Sequence, residues 1–523
     1  MPHPPSTIRR SSFATLRPLW PSLTAGALAL ALYARTLAPG LTWAHAGADG
    51  GDLLAAALTA GVPHPPGYPL YQLLLRAILA LVPGDPARLG AWLSAICAAL
   101  AVGLLTDLAR RTLPEQPWLG AVALVAGLAW AASPTLWAQA VITEVYTLNA
   151  LIVVSLLWLA WRWRAAVQSG RTGTAWLVGT GLLLGLGLGN HLSLVWLLPG
   201  LAAWLWSNRA DLRRMPVRSW IAVGAAGLAG VSVYLYLPLI AAGAPPINWG
   251  DPRTPAQFWW LVSGRAYRGL PFGVELVYLP GRLAAWMADA LRQFGGPWGA
   301  LIALAGLWRT DRRDHAWWRL TGLTALAFSL YAIGYDAADS FVYLIPVWAV
   351  AALWLAAGMD WGLGIADCGL RFAICSLLFA LLLALPGVSL VRFWGEMDLS
   401  RDREASDYVA GVLAAAAPDG VILTAGDEPT FALWYARYGL GQRPDLIPLN
   451  VNLYVFPWYQ ETLARTHPAL VEMAGGAALP PLDQLVARLM LQRPVYRAEP
   501  LNVTFPGLSE RPAGPLVEMM VGE

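Results

Sequence analysis

Long apolar runs, separated by short segments rich in arginine, recur along this chain from residue 22 to residue 391. Hydrophobic residues make up 57% of the 523 residues and charged residues only 13%, with a mean hydropathy of +0.52. A helix needs about 20 apolar residues to cross a bilayer, and arginine concentrates in the cytoplasmic loops of membrane proteins. The pattern predicts a polytopic α-helical membrane protein with about eleven transmembrane helices.

The basic residues also predict the orientation of the chain. All 35 are arginines, the formal net charge is only +3, and the arginines cluster in short loops. This is a topology signal and not a nucleic-acid-binding patch, so no nucleic-acid partner is predicted. If Arg9, Arg10 and Arg17 precede a retained first helix at about 19–37, the arginine-dense loops all lie on the cytoplasmic side of the membrane. We therefore predict a multi-pass protein of a bacterial cytoplasmic membrane, with a cytoplasmic N-terminus and an extracytoplasmic C-terminal domain.

Composition divides the chain into two parts. Residues 1–391 carry the apolar runs, and a first outer loop at 40–88 contains two segments, 52–62 and 68–82, predicted to be short interfacial helices. Residues 392–523 have a soluble composition in which helix and strand patterns alternate. The order strand, helix, strand predicts a small α/β domain with a parallel pair.

The uncommon polar residues collect on the predicted outer side of the membrane. Ionisable residues at membrane boundaries usually mark function, so these residues are candidates for one site. Two carboxylates of the first outer loop, Asp49 and Asp52, are the candidate catalytic residues, although each could instead cap a short helix. The candidate substrate-binding residues are His64, Tyr68, Glu144, Tyr146, His191, Asn248, Trp249, Asp251, Arg265, Tyr267, Arg268 and Asp339.

The first outer loop also carries a recognisable motif. The stretch "ADGGDLLAAALTAGVPHPPGYPLY" resembles the D-S-G-E…H-P-P-G-Y-P-L-Y signature of a transmembrane family related to protein O-mannosyltransferases and long classed as of unknown function. Asp52 stands where that signature has Glu, and Gly50 stands where it has Ser. Similar stretches occur in order along most of the chain, at 133–151, 185–199, 234–254 and 426–450.

The resemblance implies a GT-C glycosyltransferase. Such enzymes take a sugar from a polyprenyl-phosphate carrier on the outer or lumenal face, and a relative transfers mannose to Ser or Thr of proteins. An acidic residue of the first outer loop is their usual catalytic group, and Asp49 occupies the matching motif position. The implied partners are a lipid-linked sugar donor, a protein or glycan acceptor and the bilayer.

The chemistry of inverting transfer gives each candidate a role. We predict that Asp49 is the base that accepts the acceptor's proton and that Asp52 positions hydroxyl groups. Arg265 and Arg268 are predicted to stabilise the leaving phosphate, since a guanidinium matches phosphate oxygens. His64 is predicted to bond the phosphate or an acidic partner, and Glu144 to hold Asn149 or His191 across helices or to contact substrate.

Other interpretations remain open at this point. No cofactor or resident metal is predicted; a divalent ion among Asp49, Asp52, His64 and Glu144 is conceivable, but no spacing specifies one. The acceptor could be a lipid or cell-wall glycan instead of a protein. A lipid-sugar flippase or transporter is a further alternative, although transporters show repeats and polar groups at the bilayer midplane, and neither is visible here. The last alternative is a scaffold protein without enzymatic activity.

Overall fold

The computed structural model describes residues 19–367, 372–473, 475–476, 478–505 and 507–521. The basic residues Arg9, Arg10 and Arg17, which entered the topology prediction, lie outside these ranges. The helices of the first half of the chain are α1 (Trp20–Thr36), α2 (Asp49–Thr59), α3 (Pro69–Leu81), α4 (Pro86–Thr112), α5 (Leu119–Ala131), α6 (Pro134–Ala140), α7 (Tyr146–Gln168), α8 (Thr174–Leu188), α9 (Leu198–Ser207), α10 (Arg209–Leu212), α11 (Val217–Val231) and α12 (Tyr236–Ala241). Those that follow, up to the soluble part, are α13 (Pro255–Val262), α14 (Leu279–Arg292), α15 (Pro297–Arg313), α16 (His315–Gly334), α17 (Ile345–Asp367) and α18 (Phe372–Met397).

Several helices begin where the sequence predicts a start. Proline occupies the first turn of α3, α4 and α6, where its missing N–H costs no helical hydrogen bond. Asp85 also caps α4 by accepting the Arg88 backbone N–H at 2.8 Å. The first outer loop therefore contains two short helices, α2 and α3, close to the predicted 52–62 and 68–82.

Four helical segments of the described ranges are long and apolar enough to cross a membrane: Pro86–Thr112, Tyr146–Gln168, Val217–Ala241 and Ser340–Ile365. Helices α5 and α6 together form a fifth candidate, bent by 65°. The bend follows from Pro134, which disfavours helical backbone in the preceding residue. The predicted total of about eleven spans stays a prediction.

Close packing between helices α8 and α11 depends on glycine. A Cβ on Gly185 would lie 2.3 Å from the Gly227 carbonyl oxygen, and one on Gly230 would lie 2.4 Å from the Leu182 oxygen. Small residues at such positions let membrane helices approach each other closely. The glycines recurring at 181, 185 and 189 therefore serve helix packing and not phosphate binding.

The soluble part of the chain forms a mixed α/β layer. Its elements are α19 (Glu404–Ala415), β1 (Val421–Thr424), α20 (Asp427–Trp434), β2 (Ile447–Asn450), α21 (Pro457–Thr466), α22 (Pro468–Met473), α23 (Leu482–Met490), β3 (Val495–Arg497), β4 (Leu508–Ala513) and β5 (Leu516–Val521). Within the described residues the sheet has the order β2-β1-β3-β5-β4. The predicted parallel pairing of β1 with β2 is confirmed, β3 adds a second parallel partner of β1, and β5 runs antiparallel to β3.

This soluble part packs directly on the first outer loop. A Cβ on Gly51 of α2 would lie 2.6 Å from the carbonyl carbon of Phe431 in α20, so the two helices touch backbone to backbone. Helix α18 also continues to Met397, beyond the domain boundary predicted at residue 391. The C-terminal region is therefore positioned to contribute to any site formed by the first outer loop.

Candidate active site

The motif segment folds back on itself between α2 and α3. Helix α2 ends at Ala60, whose φ of 54° is left-handed, and the chain then turns through His64, a cis Pro65–Pro66 peptide bond and Tyr68. The cap residue before α2 is Ala48, and no side chain caps that end, so neither Asp49 nor Asp52 is a helix cap. The turn instead brings His64 beside both carboxylates.

Asp52 is fully buried and binds His64 through two hydrogen bonds. Its Oδ2 accepts the His64 backbone N–H at 2.8 Å and faces the ring Nδ1 at 2.7 Å. Its Oδ1 accepts the indole N–H of Trp249 at 3.1 Å. A buried carboxylate is tolerated when donors surround it, and here three donors do so. Asp52 does not line the cavity described below, a location that does not suit the predicted contact with substrate hydroxyls.

Asp49 occupies the other side of the histidine ring. Its Oδ2 lies 3.4 Å from His64 Nε2, which also pairs with the Tyr68 hydroxyl at 3.0 Å. In contrast to Asp52, the Asp49 side chain is 31% exposed and lines a cavity. The motif therefore places one carboxylate behind the histidine and the other in front of it, open to a ligand.

Asp49 and His64 change each other's pKa. Burial raises the pKa of Asp49, and the neighbouring His64 charge opposes that rise. Burial alone would lower the pKa of His64, but the charge of Asp49, together with the hydrogen bond and charge of Asp52, outweighs it and raises the pKa to about 9. His64 is therefore cationic near neutral pH and adjoins Asp49 as a counter-charge.

A cavity of about 850 Å³ opens in front of Asp49. A volume of this size lies in the range of small-molecule binding pockets. Eight of the sequence-predicted residues line it: Asp49, His64, Tyr68, Tyr146, His191, Tyr267, Arg268 and Asp339. Residues that are far apart in the sequence therefore converge on one space, as the sequence argument expected.

Tyrosines form much of the cavity wall. Tyr331, Tyr335 and Tyr343 were not singled out from the sequence, and their ring centroids lie 4.9–5.2 Å apart. His191 lies against this cluster, 5.7 Å from the Tyr343 ring. Burial lowers the pKa of His191 to about 4, and the His64 charge adds to this effect, so His191 is neutral where His64 is charged. Aromatic faces carrying hydroxyl groups provide both apolar contact and hydrogen bonds to a ligand.

Three of the predicted substrate-binding residues, Asn248, Trp249 and Asp251, lie behind the cavity and not in its lining. The segment that carries them pairs with the motif segment, since the Val62 N–H donates to the Ile247 oxygen at 2.9 Å. Asn248 donates to the buried Asp251 at 2.8 Å, and Asp251 also binds Arg253. These contacts support the motif segment from behind, with Trp249 reaching Asp52.

The two predicted phosphate ligands are separated by the structure. Arg268 lines the cavity, and within the described residues it forms no ion pair. Arg265 lies three residues earlier on a short 3₁₀ turn, is exposed and does not line the cavity. Of the two arginines, Arg268 alone is placed to meet a ligand in this space.

Glu144 also lies outside the cavity lining. It is 1% exposed; its Oε2 accepts the Val145 N–H at 3.2 Å, and its Oε1 has no partner in the described part of the chain. Burial raises its pKa well above the ordinary range. The predicted bonds of Glu144 to Asn149 and His191 are wrong, because both residues pair with Ser193 instead, at 3.4 and 2.8 Å.

Sequence reasoning missed the contribution of the C-terminal region. Asp427, Glu428, Phe431 and Glu499 line the same cavity, and the Phe431 ring stacks on His64 with 6.1 Å between centroids. Burial raises the pKa of Asp427 to about 6, and the charge of Asp49 adds to the rise. A signal was present, since the stretch 426–450 matched the family, but the sequence does not show that it folds against α2.

Among the described residues, no group of three or more His, Cys, Asp and Glu side chains could hold a metal ion. The carboxylates around the cavity are dispersed over its walls, whereas a metal site requires them to converge on one point.

Comparisons with known proteins agree with this fold and with the motif resemblance. The family model of the protein O-mannosyl-transferase TMEM260 N-terminal domain matches residues 49–214, and the model of TMEM260-associated domain 2 matches residues 405–469. Protein O-mannosyl-transferase TMEM260 of Mus musculus is 24% identical over 447 residues, which cover 81% of this chain and 62% of that protein. The Dictyostelium discoideum protein of the same name is 25% identical over 297 residues, 53% of this chain and 34% of that protein. The chain thus spans less than two thirds of these relatives.

Solved structures share the fold at low sequence identity. ArnT from Cupriavidus metallidurans, bound to undecaprenyl phosphate, has a TM-score of 0.58 and 14% identity, covering 95% of this chain and 96% of that one. The Archaeoglobus fulgidus oligosaccharyltransferase in the apo form has a TM-score of 0.54 and 12% identity, covering 82% of this chain and 64% of that one. The chain therefore shares the fold of these two proteins, and its sequence is similar to those of protein O-mannosyl-transferases.

Proposed function

We propose that this chain is a membrane glycosyltransferase that moves a sugar from a polyprenyl-phosphate carrier to a hydroxyl group, with inversion. The observation that supports it most is the position of Asp49, a carboxylate beside a cationic histidine and open to a cavity of about 850 Å³ that Arg268 also lines. A base and a cation in one cavity are the two groups that such a transfer requires.

The reaction proceeds in one displacement. The acceptor hydroxyl approaches the anomeric carbon from the face opposite the phosphate, and Asp49 takes its proton as the new bond forms. The bond between the anomeric carbon and the phosphate oxygen breaks, and its electron pair stays on the phosphate. General-base assistance of this kind contributes about 10²- to 10⁴-fold to a rate.

Arg268 is the residue that we assign to the leaving phosphate. Its guanidinium is always charged and presents several donors in a fork that fits phosphate oxygens. Five carboxylates line the cavity, namely Asp49, Asp339, Asp427, Glu428 and Glu499, and Arg268 is the arginine among the described lining residues. One guanidinium among several carboxylates suits a donor that carries a single phosphate.

The finer assignments rest on the relatives. Their name, protein O-mannosyl-transferase, supports mannose as the sugar and protein Ser or Thr as the acceptor. The ArnT neighbour was solved with undecaprenyl phosphate, which supports a polyprenyl carrier. The arginine distribution supports transfer on the outer face of the membrane.

The test is transfer by purified full-length protein from a labelled polyprenyl-phosphate sugar, offered in parallel to Ser/Thr-containing peptides and to glycan acceptors. Asp49→Asn should lower kcat at least about 100-fold, because the amide cannot accept the proton. Arg268→Ala should weaken use of the donor by about tenfold or more.

Arg265→Ala is the matched control, since it removes a neighbouring arginine that does not line the cavity. It should leave donor saturation unchanged. Full transfer by a folded Asp49→Asn variant would remove Asp49 as the base, and equal effects of the two arginine substitutions would remove the assignment of Arg268. Transfer to glycans but not to peptides would redirect the acceptor assignment.

A further inference from the structure

The Asp52–His64 pair adjoins the cavity with no part in the reaction written above. Both oxygens of the buried Asp52 are occupied, Oδ1 by the Trp249 indole N–H and Oδ2 by the backbone N–H and ring Nδ1 of His64. Two bonds from one residue to one carboxylate oxygen fix both the backbone and the ring plane of that residue. The orientation of the His64 ring is therefore set by Asp52.

The fixed ring faces oxygen atoms on both edges. Nδ1 faces Asp52, while Nε2 lies 3.0 Å from the Tyr68 hydroxyl and 3.4 Å from Asp49 Oδ2. An imidazolium donates from both nitrogens, to Asp52 on one edge and toward Asp49 on the other. A neutral ring protonated at Nδ1 can only accept at Nε2, from the Tyr68 hydroxyl, and offers Asp49 no donor. The Phe431 ring lies parallel to the His64 ring, with 6.1 Å between the centroids.

We propose that Asp52 and His64 form a positioning pair for Asp49, in which Asp52 orients the imidazolium and the imidazolium holds Asp49 as a carboxylate directed into the cavity. The proposal rests on the proposed function in one respect, that Asp49 acts as the base. In the reaction written above neither member of the pair contacts the reacting atoms, so both act through Asp49.

The electrostatic surroundings agree with this assignment. The titratable groups that interact electrostatically with His64 or lie against it are Asp49, Asp52, Tyr68, Glu144, His191, Asp339 and Asp427. Burial of Asp49 raises its pKa, which favours the protonated form of the base, and the His64 charge opposes that rise. Loss of the His64 charge must therefore raise the pKa of Asp49 and move the acid limb of activity to higher pH.

His64→Asn is the substitution that distinguishes the hydrogen bond from His64 to Asp52 from the positive charge of His64. The asparagine amide nitrogen can replace Nδ1 as the donor to Asp52, whereas the Nε2 edge and the positive charge are lost. We expect kcat at pH 6 to fall by about tenfold or more while the KM for the donor stays constant, with recovery toward wild type as the pH rises.

The protonation of Asp49 can also be measured directly, without the transfer assay. A hydrophobic carbodiimide labels protonated carboxyl groups, so mass spectrometry of the Asp49 peptide across pH gives the midpoint at which Asp49 loses its proton. This midpoint should lie at higher pH in His64→Asn than in wild type. The reciprocal measurement uses Asp49→Asn, in which His64 should become reactive toward diethyl pyrocarbonate at lower pH, because coupling between two sites is mutual.

His191→Asn is the matched control. His191 also lines the cavity, but its pKa near 4 leaves it neutral at the pH of the assay, so its loss removes no charge near Asp49. The Asp49 midpoint should be the same in this variant as in wild type, whatever the effect on transfer.

The outcomes separate the two proposals. A raised labelling midpoint together with an acid limb at higher pH supports the positioning pair. An unchanged midpoint in His64→Asn overturns it, and if that variant does not fold, an unchanged His64 reactivity in Asp49→Asn does so. A raised midpoint in a protein that transfers no sugar at any pH overturns the proposed function and leaves the coupling of His64 to Asp49 standing.

Discussion

Two walls of the cavity are built in different ways. The motif wall, residues 46–68, is a continuous stretch in which Asp49, Asp52 and His64 are joined by contacts of 2.7–3.4 Å. The C-terminal wall, residues 426–431 with Glu499, comes from a region more than 350 residues away in sequence. Of its carboxylates, Glu499 is anchored by the backbone N–H groups of Ala425 and Gly426 at 2.8 Å each. Asp427 and Glu428 form no ion pair within the described residues.

The difference indicates a division of work. A reacting group must be held in one geometry, which the hydrogen bonds of the motif wall provide. A surface that admits the acceptor must exchange water for ligand, which the more open carboxylates of the C-terminal wall permit. The walls meet where the Phe431 ring stacks on His64 and where Gly51 touches Phe431. The comparison of the two walls can therefore be tested at this contact and in each wall separately.

The largest effect is expected from Gly51→Ala, which separates the walls. The added Cβ would lie 2.6 Å from the Phe431 carbonyl carbon, a backbone atom that cannot rotate away. We expect a loss of about 3 kcal/mol in the free energy of unfolding and a large loss of transfer, because overpacking displaces α20 from α2. Thermal unfolding in detergent and the transfer assay measure both.

Gly281→Ala is the control, because nothing lies within 4 Å of the position where its Cβ would be. It should leave the free energy of unfolding unchanged or raise it by up to about 1 kcal/mol, as expected for glycine to alanine inside a helix. Equal stability of the two variants would show that the close contact at Gly51 does not hold the walls together.

The motif wall was the more predictable of the two. Asp49 and His64 lie 15 residues apart in one outer loop, so a compact turn was enough to bring them together. Which carboxylate would face the cavity was not predictable, since Asp49 and Asp52 lie in the same first turn of α2 and only tertiary packing sets the rotation of that helix. Arg265 and Arg268 show the same limit, because a short 3₁₀ turn directs one of them away from the cavity.

The C-terminal wall could not be located from the sequence. Its helix and strands followed from apolar periodicity, and the parallel pairing of β1 with β2 was expected. The contact of this wall with α2 depends on Gly51, which lies against the backbone carbonyl of Phe431. Hydrophobic periodicity in a sequence does not indicate such a contact. The tyrosine cluster was missed for a related reason, since residues 331, 335 and 343 read as part of membrane helices and their ends.

A smaller effect is expected from Trp249→Phe, which weakens the motif wall from behind. The substitution keeps an aromatic ring but removes the indole N–H that Asp52 Oδ1 accepts at 3.1 Å. A buried acceptor that loses its donor costs about 1–3 kcal/mol, so we expect a lower free energy of unfolding. Trp259→Phe, at an exposed position on α13, should change it by less than about 0.5 kcal/mol. Equal shifts in unfolding temperature would show that the bond to Asp52 contributes nothing.

The smallest effect is expected from Asp427→Asn, which tests the C-terminal wall alone. Asp427 has a pKa of about 6, so it is neutral below that pH and a carboxylate above it. If the carboxylate binds the acceptor, the wild-type KM for the acceptor should rise as the pH falls through 6, and the variant should show a KM that does not change over this range. Above pH 7 the variant should have a KM for the acceptor higher by about threefold to tenfold, the effect of one hydrogen bond of about 1 kcal/mol, with the KM for the donor unaltered.

Asp483→Asn, at an exposed carboxylate of α23 outside the cavity lining, provides the comparison. A change in the KM for the donor instead of the acceptor would reverse the roles assigned to the two walls.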